Sequence, residues 1–562
     1  MSDNKMTLLE LLDDTVQHTP LFLNNEYEKC REKFALLKES SMYHHFGWCL
    51  IYYVESILTM NKEIMKIALE EIEKLLNIYN KKYRKHCGIF SHRNFDNYSD
   101  EEVHAELSYS ILLSSSALLG ALYDPSFSGF IKGAYRMTSG YMGLREGQHI
   151  LNARKNWQHP RVKEHYEALL KFFLGLFEIV IAYMPAKLSR LLDFIGFSGR
   201  LENGIEFLES SFMIKNTYGS LVSGLVLIFI YMFSEYFYGL GDSKLEMIKK
   251  VEIDCLSIHP KSAYTAAVSV SIKLLEAKFD EVITLCEEQL SSNIEYPQYV
   301  QYIFYWFKSW SNAYQCKWKE AANGMRGLLG CKWSPALFNY IYGSFLFMEM
   351  NKSEDFQCDD DLRELFEKIP TLRQKIGGRK VFHDNFVVSR SQKCIKGSSR
   401  FFLPTYELFY IWNYFAIVSK QAKSLDTIFG DIKSRLASGE DEFESYDDYA
   451  NLLFLKAVVL KHRNQENDAK ALFFQIMKQE KKLKNDYFLL AHCAFEIGLI
   501  HFKNEEYFEA KSWLNKSKKN FSGYLTECLL HFRADIVLNR IRSIEKATKE
   551  NVEQRISNCS EC

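Results

Sequence analysis

One short pattern recurs along this chain: an aromatic residue, two mostly polar residues, a small residue, then apolar residues at helical spacing. It stands at Tyr27-Glu-Lys-Cys30, followed by Phe34 and Leu37. It returns at Phe279-Asp-Glu-Val282 with Cys286, and at Trp318-Lys-Glu-Ala321 with Met325 and Leu328. Tyr507-Phe-Glu-Ala510 with Leu514 is the fullest copy. Asn467-Asp-Ala469, with Phe473 and Ile476, is a partial copy in which Glu466 takes the aromatic place. Residues three and four apart share a helix face, so each copy draws a narrow apolar edge along one helix. Its small residue lets a partner helix come close. In two copies another small residue stands twelve positions earlier, Gly498 before Ala510 and Ala457 before Ala469. Each copy is therefore predicted to be the second helix of a hairpin. One hairpin cannot bury both its faces, so hairpins of this kind must stack.

A small-to-small contact between the helices of such a hairpin is the arrangement of tetratricopeptide repeats. The separations are long for that class: 39 residues from Phe279 to Trp318 and 41 from Ala469 to Ala510, against roughly 34 in the usual unit. The expected fold is all-α, a right-handed α-α superhelix built as a tetratricopeptide-like solenoid with divergent, longer-period hairpins. A chain of 562 residues exceeds one compact core, as an extended array would. Aromatic residues make up 15% and prolines number only 9, so bulky side chains can fill the space between long helices. The array is expected to divide into an N-terminal helical region (1–245), tetratricopeptide-like repeats (246–350), an acidic then basic insertion (351–402), C-terminal repeats (403–545) and a charged tail (546–562).

Helical periodicity also marks 63–78, 162–183 and 202–213, and most of the prolines fall between such runs. Polar stretches at 351–361 and 434–448 read as solvated loops. The run Leu221 to Phe233 is apolar enough to suggest a membrane, but Lys215 and Glu235 bracket a stretch short of an uninterrupted span. It is expected to be a buried helix of the stack, with insertion into a lipid surface as the alternative.

Several blocks of this chain resemble the tetratricopeptide repeat protein 39 family, which includes the fungal inclusion-body-clearance proteins. They are Phe130-Ile-Lys-Gly133; Pro185-Ala-Lys187 with Phe194-Ile-Gly-Phe-Ser-Gly199; Tyr305-Trp306 with Trp318 and Cys331-Lys-Trp-Ser334; Phe386 with Arg390, Leu403-Pro404 and Tyr410-Ile-Trp-Asn413; and Asn520-Phe-Ser-Gly-Tyr524 with His531-Phe-Arg533. The resemblance runs from about residue 20 to 540. It departs after Phe386, where the family's usual run of arginines is replaced by Val387-Val-Ser-Arg390. The resemblance implies an all-α repeat fold, protein binding, and a place in lipid-droplet, inclusion-body, cholesterol-handling or cilium-related processes. It brings no catalytic residues.

The residues themselves suggest no catalysis either. The sequence has no HExxH motif, no zinc-spaced CxxC pairs and no phosphate-binding loop pattern. No catalytic, cofactor or metal site is expected. The thirteen cysteines are scattered behind an opening without a secretory h-region, which points to a reducing cytoplasm. Cys559 and Cys562 read as a frayed tail, and His44, His45, His492 and His501 as packed histidines. Net charge is −1, so no global field draws nucleic acid, and none is expected as a partner.

The largest local charge bias is basic: Arg373, Lys375, Arg379, Lys380, Arg390, Lys393, Lys396 and Arg400 against the single acid Asp384. This strip reads first as a solvated loop or hairpin and second as a docking strip for an acidic partner or anionic lipid, with Phe382, Phe386, Phe401 and Phe402 pinning it to the stack. Tyr27, Cys30, Phe279, Val282, Trp318, Ala321, Ala457, Ala469, Phe473, Gly498, Tyr507, Ala510 and Leu514 are expected in the repeat core, structural and not contact residues. The function these readings support is a non-catalytic scaffold that holds a peptide or helix of a partner on its concave face. The alternative is a peripheral lipid-surface adaptor using 221–233 or 373–400, placing the protein in the cytoplasm or on a membrane or lipid droplet.

Overall fold

The structure is a computed structural model that describes residues 6–24, 26–84, 95–124, 126–182, 199–238, 244–292, 296–352, 359–376, 379–380, 382–395 and 402–560. In chain order the helices are α1 (Leu8–Leu23), α2 (Tyr27–Leu37), α3 (Met42–Thr59), α4 (Lys62–Ile78), α5 (Asp100–Tyr123), α6 (Phe127–Ala153), α7 (Pro160–Ala182), α8 (Leu201–Met213) and α9 (Tyr218–Tyr238). Then come α10 (Leu245–Ile258), α11 (Ala263–Leu275), α12 (Phe279–Ser291), α13 (Gln298–Tyr314), α14 (Trp318–Arg326), α15 (Pro335–Met350), α16 (Asp360–Lys368) and α17 (Phe382–Ile395). The last are α18 (Pro404–Ile411), α19 (Phe415–Val418), α20 (Ala422–Leu436), α21 (Tyr446–His462), α22 (Glu466–Lys478), α23 (Phe488–Lys503), α24 (Tyr507–Lys519) and α25 (Glu527–Ser560). Between α16 and α17 a two-residue antiparallel ladder pairs β1 (Lys375–Ile376) with β2 (Arg379–Lys380).

Local chemistry sets many of the boundaries. Thr7 with Glu10 and Ser99 with Glu102 form reciprocal capping boxes that satisfy free N–H groups at the starts of α1 and α5. Asp359 caps α16 by accepting from Leu362 N–H at 2.8 Å. Pro335 and Pro404 occupy first-turn positions, where their missing N–H costs nothing. Pro20 departs from the expectation that prolines separate the helices, because it lies inside α1.

The hairpins share a turn that their sequences do not announce. Ala277, Cys316, Asn464 and Glu505 each adopt a left-handed backbone, with φ of 55°, 57°, 60° and 62°. Each stands two residues before the first residue of the helix carrying the aromatic pattern, at Phe279, Trp318, Glu466 and Tyr507. Asn413 does the same before Phe415. The left-handed residue reverses the chain in three residues and fixes the register of the two helices.

The helices stack as a right-handed α-α superhelix of the tetratricopeptide type. Consecutive helices pack on one another from α1 to α17 and again from α20 to α25, and alternate helices also meet in part of the stack: α3 on α5, α5 on α7, α7 on α9, α9 on α11 and α11 on α13. The pattern resumes with α21 on α23 and α23 on α25, and α18 packs on α21 past α20 and the short α19. Distant parts also meet, since α9 touches α1, α19 and α25, and Lys420 donates to the Leu275 carbonyl at 2.9 Å. The largest core cluster runs from Phe172 to Leu529, a second from Leu8 to Leu174, and a third closes the C-terminal end around Ala491, Ala510 and Leu530. Aromatic side chains fill the middle: Trp310 meets Phe345, Trp412 and Tyr414 with ring centroids 5.3, 5.7 and 4.8 Å apart.

The structure alters three parts of the expected organisation. The stretch read as an insertion contributes packed helices: Leu362 and Phe366 of α16, and Phe386, Val387 and Val388 of α17, belong to the main core. The acidic loop shrinks, since Ser434 to Leu436 end α20 while Asp447 and Asp448 are buried in the first turn of α21. The segment expected to be a loose tail continues α25 to Ser560.

Candidate functional site: the basic strip and an interhelical cleft

The basic strip is not one surface. Lys375, Arg379 and Lys380 lie in the two-stranded ladder, where only their backbones are described, and Lys396 and Arg400 lie outside the described residues. Arg373 is half-buried. Arg390 and Lys393 face inward from α17, which removes them from any docking strip. The Arg390 guanidinium is 5% exposed, paired with Asp486 at 2.7 Å and with Glu407. Lys393 Nζ reaches Asp448 at 2.6 Å and Asp486 at 2.8 Å. Asn451 donates to Glu407 at 3.1 Å, and the Phe488 ring lies 4.9 Å from the guanidinium.

Two cations and three carboxylates thus join α17, α18, α21 and the segment before α23. The buried charges are unequally favoured. Burial pushes Asp486 up, but Arg390 and Lys393 outweigh it and hold the group below its ordinary range. For Glu407 burial dominates, and its pKa is raised. The strip's lone acid is structural too. Asp384, 1% exposed, accepts from the Gln374 backbone N–H at 2.7 Å and from Ser334 Oγ at 3.2 Å, fixing the chain around the small ladder. Phe386 and Phe402 are buried against the stack, while the side chains of Phe382 and Phe401 lie outside the described set.

The pattern residues divide more simply. Cys30, Phe279, Val282, Trp318, Ala321, Ala457, Ala469, Phe473, Ala510 and Leu514 are each at most 2% exposed, and Gly498 is buried. Tyr507 is only half-buried, and the side chain of Tyr27 is not described. At Gly498 the tightest approach is to Leu514, where an added Cβ would lie 2.9 Å from Cγ and 3.2 Å from the backbone N. In the Trp318 hairpin the same twelve-residue separation is held by a hydrogen bond, from Ser309 Oγ to the Ala321 carbonyl at 2.6 Å.

His44, His45 and His492 are buried, while His501 sits near the α23–α24 turn, paired with Glu506 and part-exposed. His492 bridges Tyr410 Oη at 2.8 Å and Thr526 Oγ1 at 2.9 Å. The apolar run is mostly inside. Leu227, Ile228, Ile230 and Tyr231 are at most 5% exposed in the main core, while Phe229 of the same run is 65% exposed. Among the described residues the helix long and apolar enough to cross a membrane is α5, with 61% of its apolar window buried inside the protein.

An open cleft of about 750 Å³ lies over α21. Its apolar lining comes from Phe429 of α20, Leu460 of α21 and Leu472 of α22, and Lys456 and Arg463 are its cations. Arg463 is already engaged, paired with Asp426 at 2.7 Å and lying 4.5 Å from the Phe429 ring centroid. Lys456 has no ion pair or hydrogen bond among the described residues. Sequence reasoning missed the cleft because its walls come from three helices, and only the four-residue spacing of Lys456 and Leu460 was there to be read.

Stacked helical hairpins, with their buried polar groups tying helix to helix, define a repeat protein of the tetratricopeptide class. The chain belongs to the Iml2/Tetratricopeptide repeat protein 39 family, whose pattern matches residues 17–463. It is 27% identical over 538 residues to Tetratricopeptide repeat protein ttc-39B of Caenorhabditis elegans, covering 94% of this chain and 92% of that one. Among solved structures it is similar to a monomeric mutant of IFIT1 with Gppp-AAAA, at TM-score 0.31 and 9% identity over 92% of this chain and 96% of that one. It is also similar to yeast Tom70, at 0.20 and 12% over 97% and 99%. Those superpositions are loose, and family membership rests on the sequence match.

Proposed function

We propose that the chain is a non-catalytic scaffold that holds a peptide or helix of a partner protein, and that the cleft over α21 is where the partner docks. The observation that carries the reading is Lys456, an unpaired cation beside an apolar floor of Phe429, Leu460 and Leu472. Such a floor suits an amphipathic segment, and the cation selects one bearing an acidic residue at the matching position. The reading includes no catalysis, since Arg390, Glu407, Asp486 and His492 serve to bridge helices of the stack. Inclusion-body, lipid-droplet, cholesterol-handling and cilium-related processes are the settings the family suggests for the partner.

The test is affinity capture with the full chain and with two variants, Lys456→Glu and Ala471→Glu. Both positions reach solvent, so helicity and melting should hold while the captured partner is lost from both. Unchanged recovery of every partner by both variants refutes the cleft as the docking site.

A further inference from the structure

The N-terminal helix α1 carries Asp14 and His18 one turn apart, so both lie on the same face. That face meets α3. His44 Nε2 lies 2.8 Å from Asp14 Oδ2, and His18 Nδ1 lies 3.2 Å from the same oxygen. One ligand atom from each of the three residues falls within 4.8 Å of the others. A single ion placed among them is within coordination reach of all three, because zinc–nitrogen and zinc–oxygen bonds run about 2.0–2.2 Å.

The surroundings are organised for the same purpose. His44 is 1% exposed, and its other nitrogen, Nδ1, lies 2.9 Å from Ser41 Oγ. Ser41 Oγ also accepts the backbone N–H of His44 as the cap of α3, so it is fixed in place and fixes the ring. His44 Nε2 faces the Asp14 carboxylate at 2.8 Å, a position that an Nε2–H donor fills when no cation is bound and that a cation bound by both groups would take instead, with Nδ1–H then donated to Ser41. An outer hydroxyl that sets the tautomer of a ligating imidazole is a recurrent device of metal sites. Phe34 shields one side, its ring centroid 5.8 Å from that of His44. Asp14 and His18, at 24% and 22% exposure, leave a route to solvent. His18 Nδ1 also lies 2.8 Å from the Asp14 carbonyl, a contact the ring gives up when its proton moves to Nε2. The neighbouring pair differs: Asp13 faces His165 at 3.1 Å but also Arg161 at 4.0 Å, a cation that disfavours a metal.

We propose that Asp14, His18 and His44 bind one borderline divalent cation of the zinc type, which clamps α1 to α3. Two imidazoles and one carboxylate form a ligand set suited to zinc, cobalt or nickel and poorly suited to calcium or magnesium.

The experiment uses the full chain, stripped with chelator and titrated with cobalt(II), followed by visible absorption and competition with zinc. One equivalent giving a ligand-field band that zinc abolishes is the expected result. Asp14→Asn and His18→Gln should remove the band with helicity retained, and Ser41→Ala should weaken affinity by about tenfold or more. His165→Gln should bind as the parent does. Absence of a saturable band from the folded chain overturns the proposal. So does a band unchanged in Asp14→Asn, which would place the cation elsewhere, for instance on the C-terminal cysteines.

Discussion

Replacing Arg390 with methionine separates the two meanings a basic residue can have in this chain. Methionine keeps most of the volume but removes the charge that faces Asp486 and Glu407, whose side chains are 4% and 3% exposed. Removing one member of a buried ion pair typically costs about 3–5 kcal/mol, since the carboxylates stay desolvated without their partner. Loss of the guanidinium beside the Phe488 ring, 4.9 Å away, adds roughly 0.5–1 kcal/mol. The cost should depend on pH. Burial already raises Glu407, and losing Arg390 removes the main attraction opposing it, while Asp486 keeps Lys393; Glu407 is therefore favoured at low pH and loses stability as pH rises. Arg390→Met should therefore melt well below the parent at pH 8 and recover part of the difference at pH 5.5. The assay is thermal and urea unfolding followed by far-ultraviolet circular dichroism at both pH values, with the exposed Arg363→Met as a control expected within about 0.5 kcal/mol of the parent. If Arg390→Met melts like that control, or loses the same stability at both pH values, the buried-cluster reasoning is wrong. A variant that lost a partner at undiminished stability would restore Arg390 to a docking strip.

Ala510 is fully buried among Ala491, Phe495, Leu530 and Ala534. Ala510→Trp should unfold the C-terminal hairpin, at a cost above the roughly 1–3 kcal/mol of an added methylene or two; unchanged helicity and melting would refute this register. Glu505 is exposed with φ of 62°, so Glu505→Gly should raise stability by about 1 kcal/mol, and a lowered melting temperature would mean the turn is not left-handed. His104 and His492 are both held down to about 3 by burial, with His165 adding to the effect at His104 and Arg533 at His492. A depressed folded pKa gives stability that is present above the unfolded value near 6.5 and lost as pH falls below it. Each therefore costs about 2 kcal/mol by pH 5. Melting should drop between pH 7.5 and 5, less steeply in His492→Gln, and equal slopes in parent and variant would exclude His492 as a source.

The local apolar pattern carried the hairpin helices well. Phe279, Trp318 and Tyr507 begin helices at the positions their spacing implies, because three- and four-residue periodicity reports burial directly. The turns were less visible. Ala277, Cys316 and Glu505 take a conformation for which glycine or asparagine is the usual signal, and only Asn464 and Asn413 supply it. Tertiary packing holds those residues in place, and a local reading has no access to it. The turn of α23 into α24 shows the same thing at atomic scale. Gly498 and Ala510 read as a small pair, yet the close approach belongs to Gly498 and Leu514, four residues further along the same face.

The basic strip was misread for a reason that applies to charge runs in any stacked fold. A charge along a sequence becomes a surface field only if its neutralising partners are nearby in sequence, where they can be counted. Arg390 finds Glu407 seventeen residues on and Asp486 ninety-six residues on. Lys393 finds Asp448 in the stretch that reads as an acidic solvated loop. The basic stretch at 373–400 and the acidic stretch at 434–448 thus meet inside the fold through Lys393 and Asp448. Opposite local biases in a chain of net charge −1 are themselves a sign of internal pairing, since a solenoid that buries one face of every helix must bury some of its charges. Under the docking proposal, the residue to test is a cation that lines the cleft without an ion pair among the described residues, Lys456, and not the position where cations are densest in the sequence.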